Sequence, residues 1–353
     1  MSGSHARFLV ILQPFLYDYR LQIFDQLSKS ISCFILASIR CSIKSDIKYK
    51  NLETASPVEW ASGLFSVLAN CNSRKVIVFL PAYTSHLGIV LSAILMSLAR
   101  VPVIVHGQAL FKKARPGPVD LAISCFWLIL STKYISYSSV GIEGPFLLPV
   151  FRKKVLTIDN RFESLASLGL SDFDPKFDSY TGLGSRLRIL FIGRNRPRSG
   201  FRLALELIDL LCRVGYDASL EVVGFHGEPS KCVTYYGHLS SPDIIPVASL
   251  CHIGLYPGDS GLSAIHYMAL GLCPIVHSEL RLHCGPEPVH VVDGLTGCLF
   301  ERGSLSDLFR VFKGLVASPR KLRFIRERAY RRATEIHATP FSSELMSVLN
   351  LIS

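Results

Sequence analysis

Residues 253–276 read Ile-Gly-Leu-Tyr-Pro-Gly-Asp-Ser-Gly-Leu-Ser-Ala-Ile-His-Tyr-Met-Ala-Leu-Gly-Leu-Cys-Pro-Ile-Val. The apolar run Ile253–Tyr256, closed by Pro257-Gly258, has the form of a buried strand ending in a turn. From Gly261 the spacing becomes helical: Leu262, Ile265, Met268 and Ala269 share one face, and Gly271 is the stop. A second apolar run, Pro274–Val276, follows at once. Strand, helix and strand in this order belong to an α/β fold. The amides of Gly261, Leu262 and Ser263 at the helix start lack intrahelical partners, so an anionic group, naturally a phosphate, is well received there.

The same alternation extends on both sides. Strands are expected at Phe8–Leu12, Cys33–Ala37, Val76–Leu80, Val101–Val105, Tyr134–Tyr137 and Val155–Ile158, with helices at Leu21–Lys29, Val58–Leu68 and Thr84–Ala99. This half therefore reads as a parallel sheet covered on both faces. Residues 169–186, rich in Asp, Ser, Gly and Pro, are an expected linker. Beyond it come the strand Leu187–Ile192, a basic turn Gly193–Gly200, and a helix Phe201–Val214 with Ser199 as N-cap and Gly215 as stop. Strands Leu220–Val223, Val233–Tyr236 and Ile253–Tyr256 follow, and helices after Leu305 close the chain. A chain of 353 residues is comfortable as two domains. The expected division is 1–168 for an amino domain, 187–338 for a carboxyl domain, and 339–353 for a last helix returning to the first. Two such domains facing one another make a cleft lined by strand ends.

The formal net charge of +11 asks for an acidic partner, which a nucleotide, a lipid pyrophosphate or an anionic membrane face would satisfy. Ten cysteines without a Cys-x-x-Cys spacing, and no recognisable signal sequence, point to a reducing cytoplasm and free thiols. The most apolar stretch, Leu87–Val105, is broken by Arg100 and Pro102 and is not a membrane span. His277, His283 and His290 match no zinc spacing.

With these features in view, 253–300 resembles the donor-binding signature of retaining glycosyltransferases of family 4, whose fold is GT-B: two Rossmann-like α/β domains facing across a cleft. The family pattern Pro-Ser-x-x-Glu-Gly-Phe-Gly-Leu-x-x-x-Glu-Ala-Met-Ala-x-Gly-x-Pro-Val aligns with Gly261-Leu262, Met268-Ala269, Gly271 and Pro274. Its two glutamates fall on Gly258 and His266. The nearest match is a bacterial polysaccharide and lipopolysaccharide subgroup with Gly-Leu-Ser-x-Ile-His and a downstream Pro-Glu, here Pro286-Glu287. Phe191-Ile192-Gly193-Arg194 resembles the family's strand into a Gly-Arg turn, with Ser199-Gly200 where Lys-Gly is usual. Val222–Gly227, Val233–Gly237 and Asp293–Phe300 resemble further family loops in the expected order, as does Val105-His106-Gly107 in the amino half.

The resemblance implies a cytoplasmic, metal-independent glycosyltransferase with a nucleoside-diphosphate sugar as co-substrate and no further cofactor. The acceptor would be a lipid-linked or growing surface glycan, and no nucleic acid is involved. Arg194 with Arg196 or Arg198, and the amides of Gly261, Leu262 and Ser263, would hold the diphosphate; guanidinium engages two oxygens at once. Gly237 would lie near the base. His106, His266 and Glu287 are the catalytic candidates, and His283 a neighbouring donor contact. The plain alternatives are a strand-end histidine for His106 and a packing residue for His266. A sugar-nucleotide-binding protein without turnover and a nucleotide-sugar epimerase are the competing functions. Gly258-Asp259-Ser260-Gly261 copies a hydrolase motif without its structural context. The basic segment Arg320–Arg332 holds seven cationic residues against Glu327; it is expected to pack on the carboxyl domain, or also to meet an anionic membrane, with Lys112, Lys113, Arg115 and Arg152–Lys154 extending that surface.

Overall fold

The computed structural model describes residues 7–37, 47–52, 55–71, 75–180 and 185–352. The chain divides into an N-terminal unit, Met1–Glu163 with Thr339–Ser353, and a C-terminal unit, Ser164–Ala338.

In the N-terminal unit the elements are β1 (Arg7–Gln13), α1 (Asp18–Ser28), β2 (Ser32–Ala37), β3 (Lys48–Asn51), α2 (Pro57–Ala69), β4 (Lys75–Pro81), α3 (Leu87–Leu98), β5 (Val103–Gly107), α4 (Pro118–Leu130), β6 (Lys133–Ser136), α5 (Pro149–Arg152) and β7 (Val155–Thr157). All seven strands are parallel, in the order β3-β2-β1-β4-β5-β6-β7. Both faces are covered, which is why β1 is a continuous apolar run. Leu9 and Ile11 pack on one side, beneath α1 and the last helix, while Val10 and Leu12 pack on the other with Trp60, Ala93 and Trp127.

The C-terminal unit holds β8 (Leu187–Ile192), α6 (Phe201–Arg213), β9 (Ala218–Val223), β10 (Val233–Tyr235), α7 (Ser241–Ala248), β11 (Ile253–Tyr256), α8 (Leu262–Ala269), β12 (Cys273–His277), β13 (Cys298–Phe300), α9 (Leu305–Val316) and α10 (Pro319–Ile336). Its six strands, again parallel, run β10-β9-β8-β11-β12-β13. Helix α6 ends as expected at Gly215, whose positive φ of 88° lets Gly215 N–H reach Cys212 and Tyr216 N–H reach Leu211 in a Schellman pair. Its start differs from expectation. Gly200, not Ser199, occupies the N-cap with φ 66°, and the Ser199 hydroxyl turns back to the Arg196 carbonyl at 2.7 Å.

The chain crosses between units at 163–164 and 338–339. The linker expected at 169–186 therefore lies within the C-terminal unit, and its residues 181–184 lie outside the described residues. Tyr330 Oη donates to the Phe173 carbonyl at 2.9 Å, and the buried Arg326 guanidinium donates to the carbonyls of Lys176, Phe177 and Gly271. These bonds fasten the segment to α10, a role the composition of the segment conceals. Helix α11 (Phe341–Asn350) belongs to the N-terminal unit: Glu163 accepts from Ser342 N–H at 2.9 Å, and Arg161 pairs with Glu344 at 2.7 Å. No helix among the described residues is long and apolar enough to cross a membrane.

Within the C-terminal sheet, fully buried Tyr267 on α8 binds two strands at once. Its hydroxyl accepts from Ile192 N–H at 2.8 Å and donates to the Leu255 carbonyl at 3.2 Å. Tyr267→Phe leaves both backbone groups unsatisfied and is expected to lower unfolding stability by about 1–3 kcal/mol, measured by urea denaturation. An unchanged midpoint would show that water replaces the hydroxyl.

Candidate functional site

In each unit the strand order reverses at one place, between β1 and β4 and between β8 and β11. At such a reversal the loops leaving the carboxyl ends of neighbouring strands part in opposite directions and open a crevice. In the C-terminal unit, the loop after β8 carries Arg194, Arg196 and Arg198, and the loop after β11 carries Gly258–Gly261.

These two loops are bonded to one another. Gly258 N–H donates to the Ser199 carbonyl at 3.1 Å and Asp259 N–H to the Arg198 carbonyl at 2.8 Å. The approach leaves no room for a side chain, since a Cβ on Gly258 would lie 2.1 Å from the Arg198 carbonyl oxygen. A glutamate at 258 is thus excluded by backbone packing. Asp259, buried at 6% exposure, pairs with Arg302 at 3.0 Å and Arg198 at 4.0 Å and meets the His277 imidazole at 3.4 Å, whose pKa burial holds below its ordinary value. The sequence reading set Asp259 aside within the hydrolase-like tetrapeptide. The signal it lacked was the pairing of loops 60 residues apart, which no local pattern encodes.

Arg194, Arg196 and Arg198 are all exposed. Tyr256, stacked on Phe191 with ring centroids 5.2 Å apart, has its phenol pushed up chiefly by burial, with Arg194 and Arg196 acting in the opposite sense from close by. The two arginines thus lie within electrostatic reach of one phenol at the end of β11. Gly261 caps α8, and the Ser263 hydroxyl donates to the Ile192 carbonyl at 3.1 Å, drawing the first helical turn, with Leu262, to the end of β8. The helix start and the basic loop accordingly meet at the same strand end, a pairing of dipole and guanidinium that suits a diphosphate.

Glu287 is 3% exposed, in the turn after Gly285-Pro286. Its carboxylate lies 3.6 Å from where a Cβ on Gly261 would be, which brings it beside the start of α8. Gly237, with φ 67°, lies against the ring of the exposed His226, and its carbonyl accepts Gly224 N–H at 2.7 Å. His226 is therefore a further polar group at this strand edge that the sequence reading did not single out.

Two histidines stand deeper than expected. His283 is fully buried, accepts from Ser260 N–H at Nδ1 (3.0 Å), and donates from Nε2 to the His277 carbonyl (3.0 Å). It stacks on His277 with centroids 3.8 Å apart. With both nitrogens engaged it offers a ligand neither surface nor an open lone pair, so its expected donor contact gives way to a role in supporting the loop. Burial, followed by His277, pushes His283 down to about 4. His266 is likewise buried in α8, which packs on α10, and burial together with His337 pushes it down to about 4. Near pH 7 both rings are neutral. Ser260 of the hydrolase-like tetrapeptide is fully buried.

In the N-terminal unit His106 ends β5 at 3% exposure, stacked on Phe79 and hydrogen-bonded through Nδ1 to the Tyr137 hydroxyl. Burial, then the Arg20 charge, holds it well below its ordinary pKa, and Nε2 has no hydrogen-bond partner among the described residues. Arg20, itself buried, donates to Asn160 at 2.8 Å and lies over the rings of Tyr19 and Tyr137. Tyr17 and Tyr83 are half exposed beside the β1–β4 reversal. A neutral imidazole oriented by a tyrosine, with aromatic rings nearby, is equipped to accept a proton and to stack against a sugar. Among the described residues, no three His, Cys, Asp or Glu side chains are grouped to hold a metal ion.

No family model matches the chain, and no curated protein matches its sequence. Its fold is found in solved structures. HepE from Anabaena, in a complex with UDP and glucose, superposes with a TM-score of 0.69 at 15% identity, covering 98% of this chain and 100% of HepE. A glycosyltransferase from Rickettsia africae gives 0.70 at 13% identity, covering 98% of each chain. A UDP-N-acetylglucosamine 2-epimerase from Listeria monocytogenes gives 0.58 at 14% identity, covering 94% of this chain and 95% of that one. The chain has the GT-B fold.

Two outcomes follow from this geometry. Gly258→Glu, which introduces the residue type found at this position in the pattern the sequence resembles, is expected to destabilise by about 3 kcal/mol in urea denaturation, because the loops must separate; a stable variant would show that they part without cost. Both neutral histidines bind a proton less readily folded than unfolded, so stability falls as pH drops from about 6.5 towards 4, by about 2 kcal/mol each at pH 5. Equal urea midpoints at pH 7 and pH 5 would contradict the assignment.

Proposed function

We propose that the protein is a glycosyltransferase that moves a sugar, with retention, from a nucleoside-diphosphate sugar to a lipid-linked or growing surface-glycan acceptor at the cytoplasmic face of a membrane. The observation that carries the reading is the convergence of a basic loop and a helix start on one strand end at the order reversal of the C-terminal sheet. The complex of HepE, a protein of the same fold, with UDP and glucose supports a nucleotide-sugar donor.

In this reading Arg194, with Arg196 or Arg198, and the amides of Gly261, Leu262 and Ser263 neutralise the diphosphate as its bond to the sugar lengthens. Fixed donors of this kind stabilise the charge that builds on a leaving phosphate without reorganising. They take the place a metal ion holds elsewhere. Glu287 acts near the sugar hydroxyls from beside the start of α8, and buried, neutral His266 supports that helix from within. The acceptor is received by the N-terminal unit, where neutral His106, with Nε2 unengaged among the described residues, is the base proposed for its hydroxyl proton. Substitution on the donor's own face, without a covalent glycosyl intermediate, is the mechanism proposed.

The second reading, a binding protein without turnover, draws on the closed Gly258 position, where no carboxylate fits. The epimerase of the same fold keeps a third class in the test. Purified protein is offered a panel of nucleotide sugars, beginning with UDP-sugars, with and without membrane lipid extract. Transfer to lipid is expected; binding without turnover supports the second reading, and isomerised donor the third. Arg194→Ala is expected to weaken donor binding about 10- to 100-fold in calorimetric titration, the worth of a charge-assisted hydrogen bond to phosphate. Unchanged binding would remove Arg194 from the phosphate site.

A further inference from the structure

Helix α4 and the segment beside it form an apolar surface with a basic border. Trp127 and Leu128 turn into the core, whereas Val119 is 71% exposed, Ile123 37% and Ile129 63%. The helical period places these three, with Ala122 and Phe126, on the side away from the sheet. Residues 144–154 run alongside. At one end a Cβ on Gly144 would lie 3.2 Å from Leu121; at the other, Lys154 Nζ donates to the carbonyls of Leu128 and Ser131 at 3.1 and 2.8 Å, closing the helix terminus. This second segment exposes Leu147, Leu148 and Val150, the last at 70%. Six large apolar side chains thus face outward from two adjacent elements.

Cations border this surface at both ends. Lys112, Lys113 and Arg115 precede α4, and Arg152 and Lys153 end the second segment, all of them exposed. From 112 to 154 there are seven basic residues and two acidic ones, Asp120 and Glu143. Asp120 is engaged by Lys113 at 2.9 Å and by Gly117 N–H at 3.0 Å, so it does not weaken the border toward a ligand. An apolar centre with flanking Lys and Arg is the pattern of an element that lies in a bilayer interface, its apolar side chains entering the acyl boundary while the cations reach head-group phosphates. The geometry points to this surface as the docking face for a bilayer carrying anionic lipids.

The basic helix α10 is a weaker candidate than its sequence suggests. Arg326 is buried, Arg323 pairs with Asp178 and Glu327, and Arg332 pairs with Glu335. Three of its seven cations thus serve its own unit, and the exposed remainder borders no comparable apolar surface of six outward side chains among the described residues. The α4 surface, by contrast, adjoins the loop that leaves β5 immediately after His106, so a membrane-borne acceptor would arrive at the sheet edge where that histidine stands. This last link rests on the proposed function; bilayer binding itself is measured without sugar transfer.

The full chain is sedimented with vesicles of phosphatidylcholine alone and with about one-third phosphatidylglycerol. Binding is expected to be about tenfold tighter to the anionic vesicles. Ile123→Asp with Val150→Asp should lose about tenfold with an unchanged melting temperature, and Lys112→Glu with Lys153→Glu should lose the preference for anionic lipid. Arg328→Glu with Arg331→Glu on α10 should bind as the parent does. Absence of vesicle binding, binding lost only in the α10 variant, or a solution dimer that Ile123→Asp dissociates while vesicles go unbound would each overturn the proposal. Donor titration of the same samples reports separately on the nucleotide-sugar site.

Discussion

Two backbone hydrogen bonds, from Gly258 to Ser199 and from Asp259 to Arg198, set the geometry on which the candidate site depends. Strands β8 and β11 are neighbours at the point where strand order reverses, so their loops would otherwise diverge. Joined, they fix the basic loop over the end of the sheet and bring the cap of α8 to the same place. The bond pair requires bare backbone at Gly258 and the left-handed conformation at Gly200, and it delivers the buried Asp259 carboxylate to two arginines from separate segments and the His277 imidazole. A carboxylate there moderates the positive potential of the loop and orients Arg302 and Arg198. It does so from beneath, leaving Arg194 and Arg196 to face outward.

Support for this arrangement is layered. Tyr267 ties α8 to β8 and β11; beneath the second loop, the stacked pair His277 and His283 holds Ser260 and the turn that carries Glu287. Tyr267 and His283 are buried and bonded to backbone at each polar atom, which makes the site rigid at a cost in acid tolerance. The aromatic groups around Arg20 in the N-terminal unit use a different device. There a buried guanidinium is held by one amide oxygen and by ring faces, so it keeps its charge without a carboxylate among its described partners.

The apolar runs Ile189–Ile192 and Ile253–Tyr256 made β8 and β11 legible in the sequence, because strands buried on both faces leave little polar alternation to blur their ends. The edge strand β3, Lys-Tyr-Lys-Asn, carries no such run and was not expected; neither was β13, which is three residues long. The apolar run Leu121–Leu130 supplies most of α4, whose start is set by Pro118 in its first turn and by Asp120 accepting from Gly117 N–H. In the site, residue types and their order along the chain identified the basic loop and the helix start. The roles of Asp259 and His283 were not legible, since each depends on a partner brought near by folding alone: a carbonyl of Arg198 for one, an amide of Ser260 for the other.

Helix α11 has a consequence for how the chain matures. Phe341, Leu345, Val348 and Leu349 complete the core beside Leu9, Ile11 and Phe24, yet they are synthesised after the whole C-terminal unit. On the ribosome the first sheet therefore waits with one greasy flank uncovered while some 175 further residues emerge, an interval of roughly ten to thirty seconds at ordinary elongation rates. The core of the N-terminal unit closes only after the C-terminal unit has been made.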